Sequence, residues 1–204
     1  FKICTLNYSD ATFLADNQMA PINKINIIPG TGLDVSYINQ TLLPTNIKPL
    51  YVDFIARLLS EKGIYNFIFM RLNLIRYHPE LADRHPFRII TPQSDIDSIR
   101  PSDKKYLDQI GIILKPYLSN PYTYYRESRA IVVPTSYGEG LSRVVLESTY
   151  LGIPLLVSRN RGTEELLPNS YKYFISSFNP FLMTNQLVMM LNNSKYFEAL
   201  LPEQ

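Results

Sequence analysis

Ala130-Ile-Val-Val-Pro134-Thr-Ser-Tyr-Gly-Glu139-Gly-Leu-Ser-Arg-Val-Val-Leu-Glu147, continued by Gly152-Ile-Pro154-Leu-Leu-Val157, is the stretch that decides the fold. Its first five residues are apolar and mostly β-branched, the pattern of a short buried strand. A glycine-flanked turn about Glu139 follows. Apolar positions then recur at helical spacing until Gly152 and Pro154, which stop a helix and open the next strand. Strand, turn, helix and strand form the repeating unit of an open parallel sheet, whose ligands bind beyond the carboxyl ends of the strands. The turn carrying Glu139 falls at such an end. A helix beginning near Gly140 also directs unpaired N–H groups at that turn, and these favour phosphate.

Glu139 and Glu147 stand eight positions apart, about 12 Å along a helix axis. That span suits a long polar ligand better than one metal ion. A nucleotide sugar has hexose hydroxyls at one end, ribose hydroxyls at the other and a diphosphate between. The plain alternative is an ordinary loop and helix carrying two solvated acids, and spacing alone leaves both open.

The pattern extends along the whole chain. Strands are expected at 2–6, 25–28, 50–55, 87–91, 111–114, 130–133, 154–157 and 171–174. Helices are expected at 9–17, 61–77, 94–109, 120–128, 140–151, 162–167 and 181–192. Such alternation predicts an α/β fold, a Rossmann-like parallel sheet with helices on both faces. In the helix at 61–77, Ile64, Phe67, Ile68, Leu72 and Ile75 are assigned to the core. Asp53, inside an apolar strand, needs either a buried partner or a later strand start, because buried carboxylates are rare unless paired.

Composition narrows the function. Of the 204 residues, 46% are apolar and 19% charged, with a net charge of +2. That charge is too small to indicate nucleic acid, and no Lys/Arg run alternates with aromatics. No run of about 18 apolar residues predicts a transmembrane helix. The single Cys4 cannot form an internal disulfide, which suits a reducing compartment. His78 and His85, each followed by Pro, lie in a segment read as a polar loop, and no third ligand with zinc spacing accompanies them. No metal site is expected.

Three blocks together resemble the family 4 retaining glycosyltransferases of the GT-B (twin Rossmann) fold. Pro134 to Glu147, with Gly152-Ile-Pro154 and Gly162-Thr-Glu-Glu-Leu-Leu167, is similar to the E-x7-E region. Phe54-Ile-Ala-Arg57-Leu-Leu-Ser-Glu-Lys62-Gly63 is similar to the Gly-Arg-Leu…Lys-Gly segment, and Ile27-Ile-Pro-Gly30-Thr-Gly32-Leu-Asp34 to the Pro-Gly/Asn-Gly-Val-Asp turn. The resemblance covers roughly residues 1 to 190 and implies roles. Arg57 and Lys62 match the basic pair that holds the donor diphosphate in place of a metal ion. Glu139 matches the acid on the transferred hexose, and Glu147 the acid on the ribose hydroxyls. Gly138 flanks the turn, and the backbone N–H groups of Gly140, Leu141 and Ser142 match those reaching the sugar or its phosphate.

The chain departs from the family pattern in places. Ala56 stands where the family has Gly before the Arg. Phe87–Pro92 and Ile110–Tyr117 lack the strand-end glycines that frame the nucleotide base. Tyr117 is either a stacking platform for that base or a surface tyrosine of a Pro-rich loop.

All three blocks match the C-terminal, donor-binding half of the fold. Residues 1–204 are therefore expected to form a single domain, without the N-terminal acceptor half, in a natural protein roughly twice as long. A last helix near residues 195–201 is expected to end early.

The resemblance implies transfer of a hexose, with retention, from a nucleoside-diphosphate sugar to a glycan or lipid-linked acceptor. UDP is favoured, no cofactor or metal is required, and cell-surface polysaccharide or lipopolysaccharide synthesis is the setting. The expected location is cytoplasmic, with the whole protein peripheral at the inner face of the membrane. The alternatives are a catalytically inactive nucleotide-sugar-binding or scaffold domain, or another GT-B enzyme such as an epimerase.

Overall fold

Apolar runs set the strands, and the glycines and prolines between them set where each helix begins and ends. A computed structural model describes residues 1–28, 32–41, 49–138, 140–168 and 170–193. Its strands are β1 (Ile3–Thr5), β2 (Ile25–Ile27), β3 (Tyr51–Ile55), β4 (Phe87–Thr91), β5 (Ile112–Pro116), β6 (Ser128–Val133), β7 (Leu155–Ser158) and β8 (Phe174–Ile175). Its helices are α1 (Tyr8–Asp16), α2 (Val35–Thr41), α3 (Ile64–Tyr77), α4 (Pro79–Arg84), α5 (Gln93–Ser98), α6 (Pro101–Gln109), α7 (Tyr122–Glu127), α8 (Arg143–Tyr150), α9 (Arg161–Glu164) and α10 (Pro180–Asn192).

β3 to β8 form one parallel sheet in the order β5-β4-β3-β6-β7-β8. The chain winds outward from β3 in one direction and from β6 in the other. With right-handed crossovers, that reversal puts the helices after β3 and β4 on one face and those after β6 and β7 on the other. This is the predicted α/β arrangement, with the strand order of a doubly wound dinucleotide-binding sheet. The core lies on both sides of it, with Val52, Phe54, Phe67, Ile89, Ile131 and Leu156 almost wholly buried.

β1 and β2 form a separate two-stranded parallel sheet with α1 as its crossover. This unit is tied to the larger sheet by polar contacts. The Glu165 carboxylate accepts from the backbone N–H groups of Tyr8 (3.0 Å) and Ser9 (2.7 Å). Arg161 reaches Asp10 at 3.3 Å.

The question raised by Asp53 is resolved by a partner. Asp53 and Arg88 are register neighbours on β3 and β4. The guanidinium donates to both carboxylate oxygens at 2.8 Å, with the two side chains 0% and 2% exposed. Arg88 also donates to Glu127 and to the Tyr124 carbonyl, and Ser128 donates to Asp53. Burial raises the Asp53 carboxyl above its ordinary range, and the Arg88 and Ser128 hydrogen bonds pull against it. Burial also disfavours the Arg88 cation, but Asp53 and Glu127 more than offset that.

Several expected boundaries move. Residues 61–77 are not one helix: Ser60–Lys62 make a 3-10 turn, Gly63 adopts a left-handed conformation (φ +79°), and α3 starts at Ile64. Its buried face is Ile64, Phe67, Met70, Arg71 and Leu74, while Ile68 and Leu72 are half-buried and Ile75 is 38% exposed. The expected helix at 94–109 is split, because the ring of Pro101 forces Arg100 into an extended conformation (ψ 144°). The segment read as a polar loop holds α4, and His85 is buried with Nδ1 3.0 Å from the Leu50 carbonyl. The strand expected at 171–174 is Phe174–Ile175. α2 was not expected, although Asp34 caps it by accepting from the Tyr37 N–H at 2.9 Å. The helix expected near 195–201 lies outside the described residues.

Removing one partner of a buried, hydrogen-bonded ion pair strands the other charge in the interior. Asp53→Ala is expected to lower the unfolding free energy by about 3–5 kcal/mol, read from the midpoint of a urea transition.

Candidate functional site

A parallel sheet that reverses its winding leaves a crevice where the two halves diverge. Here that point lies between β3 and β6. A cavity of about 500 Å³ opens at their carboxyl ends, floored by Phe54, Ile55, Val132 and Val133. The same cavity is lined by Arg57, Lys62, Tyr117, Gly138, Gly140, Leu141 and Ser142. Seven residues singled out in the sequence are therefore brought to one place.

Each is positioned by local structure. Arg57 follows β3, its side chain 64% exposed and 3.7 Å from Asp95. The other Asp95 oxygen accepts from the Leu58 N–H at 2.9 Å, so α5 holds the loop that carries Arg57. Lys62 ends the 3-10 turn, with its ammonium 4.9 Å from the centre of the Tyr137 ring, within cation–π range. The Ser136 N–H donates to the Glu61 carbonyl at 2.8 Å, stitching that turn to the segment leaving β6. Gly63 makes the approach possible, since a Cβ there would lie 2.2 Å from the Pro134 carbonyl oxygen.

Tyr117 lies just past β5, its N–H donating to the Thr91 carbonyl at 3.0 Å. Its ring is 47% exposed and faces the cavity. Burial and the Asp95 charge raise its phenol above the ordinary range, opposed by Lys62 and Arg57. Ala56, where the resembled pattern has glycine, also lies on the cavity wall.

Ser142 is the N-cap of α8 and is 5% exposed, but its side chain makes no capping bond. Among the described residues, no side chain accepts from the first-turn N–H groups of α8. The preceding turn is held from the amino-terminal unit. Asn7, 1% exposed, donates to the Gly140 carbonyl at 2.5 Å and caps α1. Sequence reasoning missed Asn7 and Asp95, whose partners lie far off in the chain.

Glu147 does not line the cavity wall. It is 4% exposed and accepts from Arg143 Nε (2.7 Å), Tyr122 (3.3 Å) and Tyr125 (2.7 Å). Burial and the Glu147 charge push the Tyr125 hydroxyl well above its ordinary range, so it remains a donor. Glu139 lies outside the described residues, as do residues 29–31 of the glycine turn. Among the described residues, no three His, Cys, Asp or Glu converge as metal ligands, and no helix is long and apolar enough to cross a membrane.

Sheet order and switch-point cavity define a doubly wound α/β domain with a basic cavity at its switch point. Residues 43–200 match the family Glycosyl transferases group 1. The chain belongs to that family.

No curated protein matches it. Among solved structures it is similar to a Rickettsia africae glycosyltransferase (TM-score 0.76, 16% identity, 98% of this chain and 57% of that one). It is also similar to S. aureus TarM in complex with fondaparinux, α-GlcNAc-glycerol and UDP (TM-score 0.74, 16% identity, 98% and 38%). A third is Anabaena HepE in complex with UDP and glucose (TM-score 0.72, 12% identity, 98% and 55%). These are GT-B glycosyltransferases, and at such identities the likeness establishes the fold. The chain spans between 38% and 57% of their lengths.

Gly63→Ala combines a disfavoured φ with a backbone clash at the cavity edge. It is expected to destabilise the domain by at least about 2 kcal/mol, measured as a lowered thermal midpoint.

Proposed function

We propose that this domain binds the nucleoside diphosphate of a sugar donor within a retaining glycosyltransferase. The observation that carries the reading is the convergence of Arg57, Lys62 and the start of α8, where Ser142 makes no side-chain cap, on one switch-point cavity. Two fixed cations and a helix N-terminus suit a diphosphate. They also oppose the charge that develops on the phosphate as the sugar leaves, a preorganised electrostatic role that needs no metal.

In this reading the base lies against Tyr117, and the backbone about Gly138, Gly140, Leu141 and Ser142 meets the phosphate and sugar. Glu139 orients the hexose. Glu147 accepts a ribose hydroxyl at the one acceptor direction its three donors leave open. The donor is a UDP-hexose. The acceptor is a glycan or lipid-linked sugar in cell-surface polysaccharide or lipopolysaccharide synthesis. It is presented by an N-terminal half that completes the cleft, in a cytoplasmic protein resting on the inner membrane face. This domain alone then binds the donor weakly and transfers nothing.

Calorimetric titration with UDP and GDP tests the reading. The parent is expected to bind UDP in preference to GDP, and Arg57→Ala/Lys62→Ala to lose binding. In the whole protein, Glu139→Ala is expected to abolish transfer without unfolding the domain. A folded parent that binds neither nucleotide contradicts the reading. UDP binding without turnover by the whole protein favours an inactive binding module.

A further inference from the structure

Among its described lining residues the cavity carries three cations, Arg57, Lys62 and Arg143, and no carboxylate. Two of them suffice for the function proposed above. The third is the first residue of α8, and its side chain is 69% exposed although its Nε is fixed to Glu147 at 2.7 Å. An exposed ion pair one helical turn apart is ordinarily loose and contributes a few tenths of a kcal/mol. This pair is different, because its acid is buried. Tyr122 and Tyr125 hold the Glu147 carboxylate from α7, so Arg143 pairs with a fixed acceptor rather than a swinging one. Arg143 also bonds to the Tyr122 hydroxyl, which fixes the guanidinium further. A guanidinium has five N–H donors, so these two bonds leave others for the cavity.

We propose that Arg143 is a third ligand of the donor's diphosphate, with Glu147 as its positioning residue, and that it acts chiefly on the departing diphosphate. The inference rests on the donor-binding reading above. A nucleoside-diphosphate sugar carries about two negative charges across its phosphates, and the freed diphosphate about three. When the bond between the anomeric carbon and the β-phosphate oxygen breaks, its electron pair stays on that oxygen. The acceptor hydroxyl bonds to the anomeric carbon, and its proton passes through the same oxygen to solvent. Arg57 and Lys62 meet the phosphates of the bound donor. A further guanidinium donor aimed at the oxygen where charge appears as the bond opens helps more in the transition state than in the ground state.

The test compares UDP with uridine, which share base and ribose and differ in the diphosphate. Parent, Arg143→Ala and Arg143→Gln domains are titrated with each. Arg143→Gln keeps an amide donor for Glu147 while removing the charge, which guards against disturbance of α8. Both variants are expected to bind UDP roughly 10- to 100-fold more weakly, the loss of a charge-assisted hydrogen bond, with uridine binding unchanged. In the whole protein, kcat is expected to fall by a similar factor with little change in the donor KM.

Equal losses for UDP and uridine would make Arg143 a shaper of the nucleoside pocket and overturn the inference. Unchanged UDP binding and kcat would also overturn it, while leaving the donor reading intact. A parent that binds no UDP overturns both.

Discussion

The Asp53–Arg88 pair fixes the middle of this molecule, and the position of the cavity follows from it. In a parallel sheet a one-residue slip turns every side chain to the opposite face. Asp53 on β3 is matched in register to Arg88 on β4, and Ser128 at the start of β6 donates to the same carboxylate. One buried acid therefore touches both neighbouring strands. With the amino ends of the three strands locked, Ala56 and Arg57 at the end of β3 emerge beside the residues leaving β6. The crevice between β3 and β6 is then lined from both sides. A buried ion pair adds little net stability over a well-packed apolar pair. Its value here is that only one register satisfies it.

A second constraint acts at the carboxyl ends. Lys62 reaches the cavity from a 3-10 turn, which needs Gly63 in a left-handed conformation and pressed against the Pro134 carbonyl. Continuous helix from residue 61 would remove the Ser60–Lys62 turn. The Glu61 carbonyl that accepts from Ser136 would then be engaged in the helix instead. The interruption that distinguishes the structure from the sequence expectation is thus what joins one basic residue to the β6 turn.

What the sequence revealed and what it concealed divide along the range of the interactions. β4, β6 and β7 were legible because their apolar runs are local and bounded by breakers. Six of the seven cavity residues were legible because two short motifs carry them, and Tyr117 because it follows an expected strand. The partner of Asp53 was not, since Arg88 lies 35 positions away and nothing local marks it. The donors that fix the Glu147 carboxylate, Tyr125 and Tyr122, lie 22 and 25 positions earlier, and no periodicity reports them. Ile75 was assigned to the core because it fits an apolar stripe, yet the buried face of α3 is rotated onto Met70, Arg71 and Leu74. The split between α5 and α6 was readable in principle from Pro101, whose effect on Arg100 is local.

Among the described residues, the amino-terminal unit reaches the site by one polar contact, and the geometry of the peptide gives that contact its meaning. Asn7 donates to the Gly140 carbonyl while its other side-chain atom caps α1. A trans peptide points its C=O and N–H in opposite directions. Holding the Gly140 carbonyl toward Asn7 therefore turns the Leu141 N–H away from the amino-terminal unit, at the start of a helix whose N-cap residue, Ser142, makes no side-chain capping bond. A residue at Gly140 with a Cβ would meet Leu6 at 2.8 Å, so the turn and the amino-terminal unit are in close contact. The backbone donors of the turn thus depend on a side chain more than 130 positions away. Because those N–H groups require no particular side chain of their own, their orientation is set by a neighbour that the motif does not include.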